Sequence, residues 1–219
     1  MLLGHYGVAF AAKRAAPRTS LGWLTFAAQW LDELWPVLLL MGIEQVRVEP
    51  GLMAASPMNF THYPISHSLL TAALWGAAIA AGYALFTRRR EGMLLIGALV
   101  VSHWLLDLPM HRPDLPLTPG SDVKVGLGLW NSVAGTIIAE LTLFLGGLVV
   151  YARQTVATDR IGRWGLVAMV ATLLLIFAGG FAGPPPTDVT ALATFGLGLW
   201  LFIPWSWWVD RHRAPRAVA

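Results

Sequence analysis

The sequence predicts an all-α, polytopic transmembrane helical bundle of six full spans, preceded by a short N-terminal helix that is only half inserted. Three observations carry that prediction. The 219-residue chain is 56% hydrophobic and 12% charged, with a mean hydropathy of +0.61; a soluble domain carries about twice that charged fraction. Six apolar runs approach the ~20 residues that cross a bilayer as a helix. Twelve of the fifteen Lys and Arg residues fall in four clusters, and six crossings put all four on one face of the membrane.

The short helix is 2–12. It is too short to span, and its basic residues follow the apolar stretch, which does not fit a cleaved signal peptide. The chain turns back at 14–20 around Pro17. The full spans then read 21–43, 64–86, 92–110, 129–151, 162–183 and 190–209. Between them, 44–61 is loop-like, with Pro50, Gly51, Pro57 and Asn59. The proline-rich stretch 110–128 is a second long connection, and loops of this length in a compact protein often cover a functional site. Pro184–Pro186 make a stiff turn. The pentapeptide GLGLW occurs at 126–130 and 196–200, a short match of the kind that arises easily in membrane helices. The whole chain, 1–219, reads as one transmembrane domain, with 1–151 bearing the motifs and 152–219 adding two membrane helices.

The basic clusters are Lys13/Arg14/Arg18, Arg88/Arg89/Arg90, Arg153/Arg160/Arg163 and Arg211/Arg213/Arg216. The positive-inside rule makes their side cytoplasmic, which puts the C-terminus in the cytoplasm. The net charge of +3 is then a matter of topology, and nucleic acid is not a partner. With no cysteine, disulfides, thiolate metal sites and cysteine nucleophiles are excluded.

Against this apolar background a few polar residues lie deep in the spans: Asp32, Glu33, Asp107, Glu140, His5 and His103, with His67 further out. At ~1.5 Å per helical residue, Asp32, His103 and Glu140 lie roughly 18–20 Å from the basic clusters and Asp107 roughly 24 Å. They converge on one layer between the bilayer centre and the outer face. Ionisable groups in hydrocarbon are costly and face a partner or a cavity. His103 and Asp107, four residues apart, share one helix face and form a metal-ligand pair or an interhelical hydrogen-bonding pair. Asp32 reads as a ligand or general base, or as an ion-pair partner of a histidine. Glu33 is rotated by about 100° from it and is set aside. His67, flanked by Ser66 and Ser68, is a ligand or a cap-region histidine. Glu140 is a further ligand, a general base or a hydrogen-bonded core carboxylate. His62, His111 and Arg112 lie at the rim. Pro36 and Pro109 leave the carbonyls of Asp32 and Leu105 without their helical donor, and such backbone at this depth lines a cavity or is buried in protein. The serines beside histidines (Ser66, Ser68, Ser102) come with no nucleophile elbow, which argues against a serine hydrolase.

The order of the motifs is LGHYGVAFAAKRA, QWLDELWP around Asp32, HYPISHSLL at 62–70, SHWLLD at 102–107, then HRPDLPL. Over residues 3–151 this resembles the bacterial YdjM-like inner-membrane metal-dependent hydrolases, a family with a distant similarity to zinc-dependent phospholipase C and P1 nuclease. The resemblance implies a metal set of His5, Asp32, His67, His103 and Asp107 holding one or two Zn²⁺. The chain departs from the pattern in two places. Asp32-Glu33-Leu34-Trp35 stands where Asp-x-Asp-His is usual, and Tyr63-Pro64 where Arg-Gly is usual. No later His-x-x-x-Glu follows, and Glu140 is the residue left to stand in for it.

The resulting expectation is a zinc-dependent hydrolase with its site in the outer half of the bilayer, acting on a phosphoester or lipid-like substrate drawn from the membrane. Asp32 or Glu140 would act as general base, and Arg112 would hold a head-group phosphate. Two other classes stay open: an ion- or proton-coupled transporter, for which the polar layer and proline-broken helices also speak, and a structural membrane protein in which the metal staples helices.

Overall fold

The computed structural model describes residues 1–216. Helix α1 (Leu3–Ala12) leads into α2 (Leu21–Leu40), then a hairpin of β1 (Gln45–Val48) and β2 (Met58–His62). A four-residue helix α3 (Pro64–His67) precedes α4 (Leu69–Thr87) and α5 (Met93–Met110). The two-residue strands β3 (Leu115–Pro116) and β4 (Lys124–Val125) follow, and then a 3₁₀ turn, Leu129–Asn131. Next come α6 (Val133–Gln154), β5 (Thr155–Ala157), α7 (Arg160–Ala182), α8 (Val189–Leu199), α9 (Phe202–Arg211) and β6 (Arg213–Pro215). The strands pair antiparallel as β1–β2, β3–β4 and β5–β6.

Helix starts follow their capping residues. The side chains of Ser20, Ser68, Ser132, Asp159 and Asp188 each accept from a backbone N–H three residues on, satisfying a first-turn donor. Among the described residues, five helical segments are long and apolar enough to cross a membrane: α4, α5, α6, α7 and the α8–α9 segment. Helix α2 is as long, at 20 residues, but carries Gln29, Asp32 and Glu33 and sits inside the others, packed on α1, α5, α8 and α9. Only its buried setting makes such a polar helix tolerable in a bilayer.

Three of the expected spans are interrupted. The span 64–86 breaks at Ser68, whose extended backbone ends α3 and caps α4. The span 129–151 begins as the 3₁₀ turn before Ser132 starts α6. The last span divides between α8 and α9 because Pro204 has no N–H for the carbonyl of Trp200; that carbonyl accepts from Ile203 N instead, at 3.1 Å. The loop expected at 44–61 contains the β1–β2 hairpin. The two GLGLW copies share no conformation: 126–130 is a turn with Gly126 and Gly128 at φ 157° and 75°, and 196–200 lies in and just after α8.

Helix α1 is a core element, with most of its residues buried. It crosses α6 so closely that a Cβ on Gly147 would lie 1.8 Å from Gly7 O, and one on Gly7 2.3 Å from Leu143 O. This is small-residue packing of the membrane kind, and it brings His5 against α5. Both hairpins and the 3₁₀ turn gather at the end where α2 and α5 finish. There Leu127 N donates to Leu108 O at 2.9 Å and Gly128 N to His111 O at 2.7 Å.

Candidate metal centre

Four elements converge on one small volume. Helix α5 supplies His103 and Asp107, α2 supplies Asp32, α3 supplies His67 and α1 supplies His5. His103, Asp107, His67 and His5 are all buried, and Asp32 is the member that reaches out, its side chain 29% exposed. His67 Nε2 lies 3.5 Å from Asp32 Oδ1 and 3.8 Å from Asp107 Oδ2. His103 Nε2 lies 3.6 Å from Asp32 Oδ1 and 3.3 Å from Asp107 Oδ2. On the far side of Asp107, Oδ1 is met by His5 Nε2 at 3.2 Å and by the Met1 amine. The His5 and His103 rings are stacked, with centroids 3.6 Å apart.

Protons on the ring nitrogens show what this set lacks. His103 Nδ1 is 2.7 Å from Ala28 O. A carbonyl only accepts, so Nδ1 carries a proton, and in the neutral ring Nε2 presents a lone pair. That Nε2, Asp107 Oδ2 and His5 Nδ1 have no hydrogen-bond partner although fully enclosed. As bare acceptors face to face these atoms are costly to bury, and a proton or a metal cation between them removes the cost. A tetrahedral ion with ligands at 2.0–2.1 Å sets neighbouring ligand atoms about 3.3 Å apart; the four separations measured here run from 3.3 to 3.8 Å. The residues fit a zinc-sized cation. Two groups of donor atoms, His5/His103/Asp107 and Asp32/His67/His103, each lie within 4.8 Å of one another. They share His103, and Asp107 Oδ2 also faces His67 Nε2 and His103 Nε2 at 3.8 and 3.3 Å, with His5 beyond the second oxygen of Asp107.

All five residues expected as ligands are thus brought together. Glu140 stands apart from both groups: it accepts from Leu2 N at 2.9 Å and Gly4 N at 2.8 Å, closing the first turn of the helix that presents His5. Of the rim residues, His62 is exposed on β2. His111 is buried, with Nδ1 2.9 Å from Asp114 Oδ1, which also accepts from Tyr63 Oη at 2.9 Å. Burial pushes His111 below its ordinary imidazole value, against the opposite pull of Asp114. Arg112 is 34% exposed and donates through Nε to Asp114 Oδ2 at 3.3 Å and through a terminal nitrogen to Asn59.

Above the cluster lies an aromatic cover. Phe60 packs on Trp35, Tyr63 and Trp130 with centroids 5.4, 5.0 and 6.0 Å apart, and His111 on Trp130 at 4.3 Å. Sequence reasoning missed Tyr63 and Asp114 as partners of His111, and Glu44, which reaches Ser66 beside His67. Asp114 lies three residues from His111, a spacing that could have suggested it; nothing local pointed to Glu44.

The family model for YdjM inner membrane protein matches residues 3–183. The chain belongs to the YdjM inner membrane protein family. The match runs from α1 through α7, one helix past the stretch 3–151 that carries the sequence resemblance, and leaves α8 and α9 outside it. Together with five apolar helices, membership makes this YdjM-family chain a multi-pass inner-membrane protein. Neither curated proteins nor solved structures gave a match.

Proposed function

We propose that this YdjM-family chain is an integral-membrane, zinc-dependent hydrolase with its site in the outer half of the bilayer, acting on a phosphoester or lipid-like substrate. The observation that carries the reading is the enclosed set of His and Asp donor atoms, with His103 Nε2 and Asp107 Oδ2 unpartnered at separations close to those around a tetrahedral ion. The phosphoester class rests on the distant similarity to zinc-dependent phospholipase C and P1 nuclease that the sequence resemblance implies, an argument by analogy. Counting α2 as a sixth crossing and α1 as half inserted puts the basic clusters and the C-terminus in the cytoplasm by the positive-inside rule.

His67, His103 and Asp107 would hold one ion, and His5 with the second oxygen of Asp107 would begin a second position. When bound, such an ion lowers the pKa of water and withdraws charge from phosphoryl oxygens. Asp32, the one member of the cluster that reaches outside, is placed to accept the proton of the attacking water. Arg112 faces the rim and offers its guanidinium to a head-group phosphate. The aromatic cover of Phe60, Tyr63, His111 and Trp130 keeps bulk water away from one side of the cluster.

The test is metal content by mass spectrometry on detergent-purified protein, wild type beside His103→Ala and Asp107→Ala, followed by a phosphodiester and phospholipid screen. Near-stoichiometric zinc in the wild type, lost in both variants, with hydrolysis following the metal, supports the reading. Folded wild-type protein that holds no metal and takes up no added zinc would sink it, and the polar layer would become a conduction path to be followed by vesicle flux. Metal bound without hydrolysis of any phosphoester would leave the staple reading in its place.

A further inference from the structure

The neutral His67 ring has two nitrogens that can carry its one proton. Its Nε2 faces the carboxylates of Asp32 and Asp107 at 3.5 and 3.8 Å, acceptors that would favour a proton on Nε2 and so block it as a ligand. Its Nδ1 lies 2.7 Å from Ser66 Oγ. A hydroxyl can donate or accept, so Ser66 alone does not settle the choice. The deciding group is Glu44, between α2 and β1 and buried. Its Oε2 is 2.5 Å from Ser66 Oγ, and its Oε1 is 2.7 and 2.8 Å from the backbone nitrogens of Ile65 and Ser66. A carboxylate accepts only, so the single Ser66 proton points to Glu44. Ser66 Oγ is then left with lone pairs for His67 Nδ1, and Nδ1 must carry the hydrogen. Trp104 Nε1 donates to His67 O at 3.0 Å and holds the residue's backbone in place.

We infer that Glu44 and Ser66 are positioning residues that lock the proton of His67 on Nδ1 and present its Nε2 to the ion as a bare lone pair. The inference rests on the metal reading above. It gives His67 the outer-shell support through a serine that metal-bound histidines usually take directly from a carboxylate or carbonyl, and which His103 takes from Ala28 O. Both rings are then set before any ion arrives, one by the main chain and one by a side-chain relay.

Glu44→Gln tests the relay almost isosterically. The Gln oxygen can still accept from Ile65 N and Ser66 N, preserving the start of α3. Its amide nitrogen must donate to Ser66 Oγ, which turns the serine proton toward His67 Nδ1 and moves the ring proton to Nε2. Zinc affinity is expected to fall about 10- to 100-fold, and imidazole ¹⁵N spectra of the metal-free protein to show His67 switched from Nδ1–H to Nε2–H. Ser66→Ala removes the lock without inverting it and is expected to lose less affinity, with Ser66→Thr restoring it. Wild-type affinity and unchanged His67 nitrogens in Glu44→Gln would overturn the inference. A wild type that binds no zinc would overturn the metal reading instead, while the ¹⁵N comparison still decides the relay. Should Glu44→Gln not fold, equal zinc affinity in Ser66→Ala and Ser66→Thr would count against the lock, and recovery in Ser66→Thr alone would count for it.

Discussion

Two buried charged clusters sit at opposite ends of the bundle, and they are built on different principles. At one end, Lys13 Nζ donates to Asp210 Oδ2 at 2.6 Å and to Thr19 O at 2.9 Å. Asp210 also accepts from Leu21 N at 3.0 Å and from Tyr151 Oη at 2.8 Å. Each of its charges meets an opposite charge or a donor, and the knot ties α1, α2, α6 and α9. At the other end, Asp32, His67, His103 and Asp107 set ring nitrogens against carboxylate oxygens at 3.3–3.8 Å, with His103 Nε2 and Asp107 Oδ2 unpartnered. A closed cluster stabilises the fold by itself; an open one is complete only with something added. Burial and charge alone do not separate the two. The balance of donors and acceptors does.

The sharpest way to break that comparison is to remove one member from each. His103→Gln is expected to abolish zinc binding, the largest effect in the protein, while shifting the melting temperature of metal-stripped protein little. Lys13→Ala should do the reverse. Leaving Asp210 buried without its cation costs about 3–5 kcal/mol, seen as a lower denaturation midpoint in detergent, with zinc stoichiometry unchanged. If Lys13→Ala also lost its zinc, the two ends would be coupled through α1 and could not be treated as separate devices.

That coupling can be graded at the α1–α6 crossing. Gly147→Ala places a methyl 1.8 Å from the Gly7 carbonyl oxygen, backbone that cannot rotate away. Overpacking of this kind costs about 1–3 kcal/mol. The displaced helix carries His5, so a modest loss of zinc affinity is expected beside the loss of stability, measured by competition with a chelating dye. Gly146→Ala, with open space around it, should change neither quantity.

These contrasts follow the line between what the sequence discloses and what only folding creates. The His103–Asp107 pair was legible because a four-residue spacing fixes a shared helix face, and motif order added His5, Asp32 and His67. The apolar runs were legible because crossing a bilayer imposes a length. The break at Ser68 was hidden inside a continuous apolar run, since only the tertiary setting makes Ser68 a cap. The burial of α1 was hidden because a ten-residue, largely apolar stretch looks the same half inserted or enclosed. Glu140 reads as a site carboxylate by depth; its partners are backbone donors at the far end of the chain, invisible to any local pattern. Glu44 escaped for the same reason, its work being done on Ile65 and Ser66 across the β1–β2 hairpin.

The smallest expected effect concerns the cover over the open cluster. Burial holds His111 below its ordinary value, with Asp114 pulling the other way. A histidine whose folded value is depressed binds a proton more readily unfolded than folded. Stability is therefore retained above the unfolded value of about 6.5 and lost as pH falls from there toward the folded value. Protonation would also set a charged ring beside Arg112, which shares Asp114 as its partner. Wild-type protein should melt progressively lower between pH 7 and pH 5, and His111→Gln should flatten that part of the slope without changing zinc stoichiometry at pH 7. An unchanged slope in the variant would assign the acid sensitivity to the open cluster itself, where protons compete with the ion for the same lone pairs, and the cover would have no part in it.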